Sequence, residues 1–89
     1  MSPGLPGSDL VAQGLADLAA DVPSAEALLV SIGAPRLRQL GITVIRPLPD
    51  AEHRLYALLA TSDSDTAHSR YNALLRRLVS FERALACAS

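Results

Sequence analysis

One amphipathic pattern dominates this chain, from Thr66 to Ala88: TAHSRYNALLRRLVSFERALACA. Its apolar residues recur at alternating steps of four and three, which places them on one side of a helix. At 1.5 Å per residue such a helix would be roughly 33 Å long. We therefore expect one long helix whose apolar seam must be covered, either by the rest of the chain or by another chain. The seam residues are Ala67, Tyr71, Leu74, Leu78, Phe81, Leu85 and Ala88.

Two helices are predicted in the first third of the chain. The first is indicated by apolar residues at helical spacing, with Ser8 as its N-cap and Pro23 as its end. The second begins after a cap residue, Ser24, and ends at Gly33, a suitable residue for a helix C-terminus. The apolar positions of these two helices are Val11, Leu15, Leu18 and Val22, then Ala25, Leu28, Leu29 and Ile32.

The middle of the chain is predicted to contain a short helical segment followed by an extended segment. Pro35 fits the first turn of a short helical segment that Gly41 closes. Residues 42–46 are then largely β-branched, and two prolines follow at positions 47 and 49. This composition predicts an extended connector, or a short strand that would lie over the helices or pair with its copy in a dimer.

Two acidic residues are placed as caps for the remaining helices. Asp50 would cap a helix from Ala51 to about Thr61, and Asp65 would cap the C-terminal helix. Short connections make consecutive helices antiparallel neighbours. The sequence therefore predicts an all-α fold, a small up-and-down bundle of about four helices with an irregular extended connector before the third. The bundle would form a single domain over residues 8–89, after a disordered tail of residues 1–7.

The composition predicts one small helical domain. Of the 89 residues, 49% are hydrophobic, 19% are charged and 3% are aromatic, so the chain is apolar enough to fold rather than stay disordered. Cys87 is the single cysteine, which rules out a disulfide within the chain. We find no signal-peptide pattern and no apolar run long enough for a membrane span, and we expect a cytoplasmic protein.

Catalytic and metal-binding patterns are missing from the sequence. His53 and His68 would open two antiparallel helices at opposite ends, about 15 Å apart, whereas zinc needs ligand atoms at about 2 Å. Serine and threonine residues fall at caps and turns, and no glycine-rich phosphate loop follows a strand. We therefore predict a protein that is not an enzyme and that binds no metal or cofactor.

Nucleic-acid binding is the alternative function. All eight basic residues are arginines, and four of them lie on the C-terminal helix: Arg70, Arg76, Arg77 and Arg83. We interpret these four as one stripe that could follow phosphates. Residues 24–42 also have the helix–turn–helix order, although the second helix is short for recognition of bases. A net charge of −1 and the lack of aromatic residues among the arginines argue against this function.

Association with another protein is the function that we favour from the sequence. Intramolecular packing would bury most of the seam, while apolar residues beyond it could face a second chain. Tyrosine and arginine are typical anchors of protein interfaces. We expect a homodimer, or the small subunit of a complex, whose arginines pair with acidic groups of the partner. The interface candidates are Tyr56, Tyr71, Leu75, Val79, Arg70, Arg77 and Arg83.

Overall fold

A computed structural model of the protein describes residues 5–88, and residues 1–4 and 89 lie outside the described part. Within residues 5–88 the chain forms helices joined by turns and one extended connector, without a strand. The all-α bundle predicted from the sequence is confirmed, with the short segment after Gly33 as a helix of its own. The helices are α1 (Ser8–Ala19), α2 (Ala25–Ile32), α3 (Ala34–Gln39), α4 (Ala51–Ser62) and α5 (Ala67–Ala88).

Helix α5 is unbroken over its 22 residues. This confirms the long helix predicted from the four-and-three spacing of its apolar residues. The rest of the chain covers its seam, because α1, α2 and α4 all pack on it. Leu78 and Phe81 are 4% and 5% exposed, and Leu78 lies against Gly33 at the junction of α2 and α3. Ala67 is buried as well, and Tyr71, Leu74 and Leu85 are partly buried, so the chain itself covers most of the seam.

Helix α2 lies at the centre of the bundle, in contact with each of the other four helices. Four consecutive residues of α2, from Ala27 to Val30, are buried, and burial of a leucine side chain contributes roughly 1.5–3 kcal/mol. The predicted cap at Ser24 is confirmed. The predicted end of the first helix at Pro23 is wrong, because α1 ends at Ala19 and the exposed Val22 lies in the turn that follows. The Ser24 hydroxyl oxygen accepts a hydrogen bond from the Ala27 N–H (3.0 Å), and the same hydroxyl donates to Asp17 (2.5 Å).

The start of α1 differs from the prediction. Gly7, rather than Ser8, occupies the cap position, in the left-handed region at φ 76°, and Ser8 is the first helical residue and is buried. A Cβ at Gly7 would stand 2.8 Å from the carbonyl oxygen of Arg77, so only glycine fits both this φ and this close approach. Leu5 packs against the core as well. The disordered tail of residues 1–7 stays a prediction: Leu5 contacts the core, and residues 1–4 lie outside the described part.

The connector between α3 and α4 is extended and is fixed by hydrogen bonds to the helices. The Arg38 guanidinium donates to the Val44 carbonyl (2.8 Å), and the Leu48 N–H donates to the buried Ser31 hydroxyl (2.9 Å). These bonds replace strand pairing, and residues 42–46 form no strand. Asp50 does precede α4, but it adopts the left-handed conformation at φ 55° and its side chain makes no cap hydrogen bond. The predicted side-chain cap at Asp50 is therefore wrong.

Candidate interaction surface

The outer side of α5 carries apolar residues that the rest of the chain covers only in part. Tyr71, Leu75 and Val79 follow one another at steps of four. A helix turns once in 3.6 residues, so each step of four rotates the side chain by about 40° away from the preceding one. Tyr71 and Leu75 are half-buried against the core, whereas Val79 is 40% exposed. The row therefore begins at the seam and ends at the surface.

Helix α4 extends this surface through an aromatic pair. The rings of Tyr56 and Tyr71 meet edge to face, with centroids 5.7 Å apart and an angle of 62° between their planes. Such pairs contribute about 0.5–1.5 kcal/mol beyond the burial of their area. Tyr56 is itself 40% exposed. We call Tyr56, Tyr71, Leu75 and Val79 the α4–α5 patch. All four were predicted as interface candidates, and the structure brings them together on one surface.

A carboxylate lies beside the patch on its α4 side. Partial burial, and to a smaller extent the negative charge of Glu52, raise the pKa of the Tyr71 phenol. The phenol therefore stays neutral at physiological pH and keeps its O–H as a hydrogen-bond donor. Glu52 is exposed and was not among the residues predicted from the sequence. Its position could be inferred only from the pairing of α4 with α5.

The four arginines of α5 do not form the single stripe that we predicted from the sequence. Arg76 and Arg77 are consecutive, so they point about 100° apart around the helix. Arg76 and Arg83, seven residues apart, line a shallow groove of about 480 Å³ beside Leu75 and Val79. Arg70 and Arg77, also seven apart, lie on the opposite flank.

Arg77 already has a partner within the chain. Its guanidinium pairs with Asp9 of α1 at 3.3 Å, and both side chains are largely exposed. Exposed ion pairs contribute about 0–1 kcal/mol, so this pair adds little to the free energy of unfolding. The prediction that Arg77 serves a partner protein therefore meets a competing contact. Arg70 is exposed on the same flank, away from the α4–α5 patch.

The remaining chemistry-bearing residues are scattered. Among residues 5–88, no three histidine, cysteine, aspartate or glutamate side chains come together to hold a metal ion. The His68 ring lies 3.1 Å from the Asn72 amide nitrogen, and Cys87 is exposed near the end of α5. Helix α3 has six residues, and Arg38 on it is engaged with the connector. These contacts account for the positions of the His68 and Arg38 side chains, so neither position requires a ligand.

A second groove, of about 410 Å³, runs between α1 and α5 beside the start of the connector. It is lined by apolar residues, including Val11, Leu15, Ile42 and Phe81, and the hydroxyl of Ser8 is the one polar side chain among the lining residues. Ligand sites usually add several polar groups that fix orientation. This groove is therefore part of the packing between helices rather than a site with recognisable chemistry.

Comparisons of the chain with protein-family models, with curated proteins and with solved structures find no match. Among residues 5–88, none of the helices has the length and apolar character needed to cross a bilayer.

Proposed function

We propose that this chain is a non-catalytic protein–protein interaction module that binds another protein chain through the α4–α5 patch. It would act as a homodimer or as the small subunit of a complex. The observation that supports this proposal is the exposure of Tyr56 and Val79, each 40%, on a helix pair whose seam is covered. Apolar surface that is bordered by charged residues is typical of protein interfaces. A cytoplasmic location stays a prediction.

The composition of the patch favours a protein partner over a small molecule. The groove beside it is shallow and is formed by one helix, with Asn72, Ser80 and two arginines along its edge. Small molecules usually bind in concave sites that bury most of their surface. A flat apolar strip with aromatic residues and arginines suits the side of another helix.

Nucleic-acid binding stays the alternative, and it now depends on two arginines instead of four. Arg76 and Arg83 form no ion pair within residues 5–88, so they are available to phosphates. Retention on DNA or RNA that weakens steeply with salt, and that the double substitution Arg76→Gln/Arg83→Gln removes, would support this alternative. We expect no such retention, because two arginines beside a hydrophobic strip provide few phosphate contacts.

A photo-reactive amino acid at Ser80 tests the proposed function. Ser80 is exposed and lines the groove beside Val79, and the exposed Ala16 of α1 provides a matched control position. We expect a covalent protein adduct from position 80 and none from position 16. The further substitution Val79→Asp should abolish the adduct without changing the thermal unfolding of the chain, because Val79 contributes little to the core.

Three outcomes would contradict the proposal. One is the lack of any protein adduct at position 80 in cells that express the chain at its natural level. Another is an adduct of equal yield from positions 80 and 16, since this would show only random collision. An adduct that survives Val79→Asp would also count against the patch as the binding surface.

A further inference from the structure

The α4–α5 patch has opposite charges on its two long sides. Glu52 lies on the α4 side, close enough to Tyr71 to influence its phenol. Arg76 and Arg83 lie on the far side, beyond Val79 as seen from α4. None of these three charges takes part in an ion pair within residues 5–88. The patch is therefore an apolar strip between an acidic edge and a basic edge.

This arrangement is complementary to itself, and we propose that the patch binds a second copy of this chain. The inference rests on the proposed function and adds the identity and orientation of the partner. In a dimer with two-fold symmetry the same surface is used twice. If the symmetry axis runs along α5, it exchanges the two edges, so that each basic edge lies on the acidic edge of the other copy. The two α5 helices are then parallel.

An axis across the strip gives a poorer arrangement. It would make the two α5 helices antiparallel and keep each edge on its own side. Arg76 would then lie near Arg76 of the partner subunit, and Glu52 near Glu52 of the partner subunit. Like charges across an interface are unfavourable. Charge complementarity therefore selects the parallel dimer.

The positions along the helices fit this pairing. A short turn connects α4 and α5, so the two helices are antiparallel, and the ring contact places Tyr56 and Tyr71 at one level. Four residues farther from the turn, Glu52 on α4 reaches the level of Leu75 on α5. Arg76 is one residue beyond Leu75, a rise of about 1.5 Å. In the parallel dimer Arg76 therefore faces Glu52 of the partner subunit, and the pair occurs twice.

The size of the strip indicates a weak dimer. From Asn72 to Arg83, α5 rises about 17 Å, and two helices side by side are about 20 Å wide, which gives a footprint of roughly 340 Å² for each copy. Standard interfaces bury roughly 800 Å² for each partner, and smaller ones are usually transient. We expect a dissociation constant in the micromolar range, so sedimentation should be followed from about 5 to about 500 µM protein.

Charge reversal tests the proposed pair by sedimentation velocity. Each exposed ion pair contributes modestly, but it occurs twice, and reversal adds repulsion, so Arg76→Glu and Glu52→Arg should each weaken dimerisation about tenfold. The double substitution Glu52→Arg/Arg76→Glu should restore it to within about threefold of the natural chain. Arg70→Glu makes the same charge change on the opposite flank and should leave dimerisation unchanged.

A disulfide tests the orientation independently. In the parallel dimer the two copies of residue 72 stand at one level, whereas in an antiparallel dimer centred on position 77 they would be about 15 Å apart along the axis. A disulfide needs Cα atoms closer than about 7 Å. Asn72→Cys, with Cys87→Ser to remove the natural thiol, should therefore form a covalent dimer with oxidised glutathione. Unchanged thermal unfolding should accompany each variant.

The outcomes separate this inference from the proposed function. If the purified chain stays monomeric throughout, while position 80 cross-links to a different protein, the second copy is ruled out and the proposed function stands. If the chain dimerises but the double charge reversal does not restore binding, or Asn72→Cys gives no disulfide, the parallel orientation is wrong. If position 80 cross-links to nothing, the proposed function fails as well.

Discussion

Replacing Gly14 with alanine sets helix propensity against packing. Gly14 lies inside α1, where alanine would favour the helix by up to about 1 kcal/mol. A Cβ at this position, however, would stand 2.9 Å from the carbonyl carbon of Glu26 and closer still to its oxygen and to Val30 Cγ2. Overpacking typically costs about 1–3 kcal/mol, and the Glu26 carbonyl belongs to the helical backbone of α2, so it cannot rotate away as a side chain could. We expect Gly14→Ala to lower the free energy of unfolding by about 2 kcal/mol.

Thermal unfolding by far-UV circular dichroism measures this effect. For a domain of this size, 1 kcal/mol corresponds to about 4–8 °C, so Tm should fall by about 8–16 °C. Ala16→Gly, at an exposed position of α1, is the control and should cost only the propensity difference of about 1 kcal/mol. Adding Val30→Ala to Gly14→Ala should not restore Tm, because the Glu26 carbonyl stays in place. A Tm equal to or above that of the natural chain would refute the close packing of α1 on α2.

Three further predictions concern the core, a cap and a carboxyl group. Leu78→Ala should lower the free energy of unfolding by about 2–5 kcal/mol in urea titrations, because Leu78 is 4% exposed. Ser24→Ala should cost about 1 kcal/mol in the same assay, since it removes the cap of α2 and the bond to Asp17. Burial raises the pKa of Glu82, and the charge of Arg36 opposes this effect. The stability from protonated Glu82 is therefore full below its ordinary pKa and is lost as pH rises through the raised value, so Glu82→Gln should flatten that decline in Tm measured against pH.

Local signals were sufficient for most of the helices. Ser24 begins α2 through a hydrogen bond across three residues, which can be inferred from adjacent residues. The end of α1 at Ala19, before Pro23, could not be inferred in this way. The 22 residues of α5 repeat one pattern often enough to fix its extent. Where residues close in sequence decide the structure, the sequence was a reliable guide.

A contact between distant residues accounts for one of the errors. Ser8 and Asp50 are residue types that favour caps, yet neither side chain caps its helix. At the start of α1, the close approach of the Arg77 carbonyl to Gly7 determines that Gly7, and not Ser8, takes the cap position. Gly14 likewise counts against helix propensity in sequence, although the packing of α2 requires it. The spacing of apolar residues within α1 gives no indication of the contact at Gly7 or of the contact at Gly14.

The candidate surface was predicted in part. The positions of Leu75 and Val79 beyond the seam could be predicted from the sequence, because exposure follows from the angle of a residue around the helix. The split of the arginines could have been found in the same way, since the consecutive Arg76 and Arg77 cannot share a face. The position of Glu52 beside Tyr71 could not have been found from the sequence, because it depends on how α4 and α5 align. The contact between Tyr56 and Tyr71 fixes this alignment.

The spacing of apolar residues along α5 explains why the row from Tyr71 to Val79 passes from the seam to the surface. Alternate steps of four and three keep the seam on one side, as from Leu74 to Leu78 and Phe81. Two successive steps of four, from Tyr71 to Val79, rotate the row by about 80° and carry it out of the core. Val79 at the end of this row is 40% exposed, but exposed apolar residues are common, and Val22 and Ile45 are exposed to a similar extent elsewhere. The α4–α5 patch differs from those isolated residues because charges of opposite sign lie along its two edges, and this charge arrangement is what the charge-reversal experiment tests.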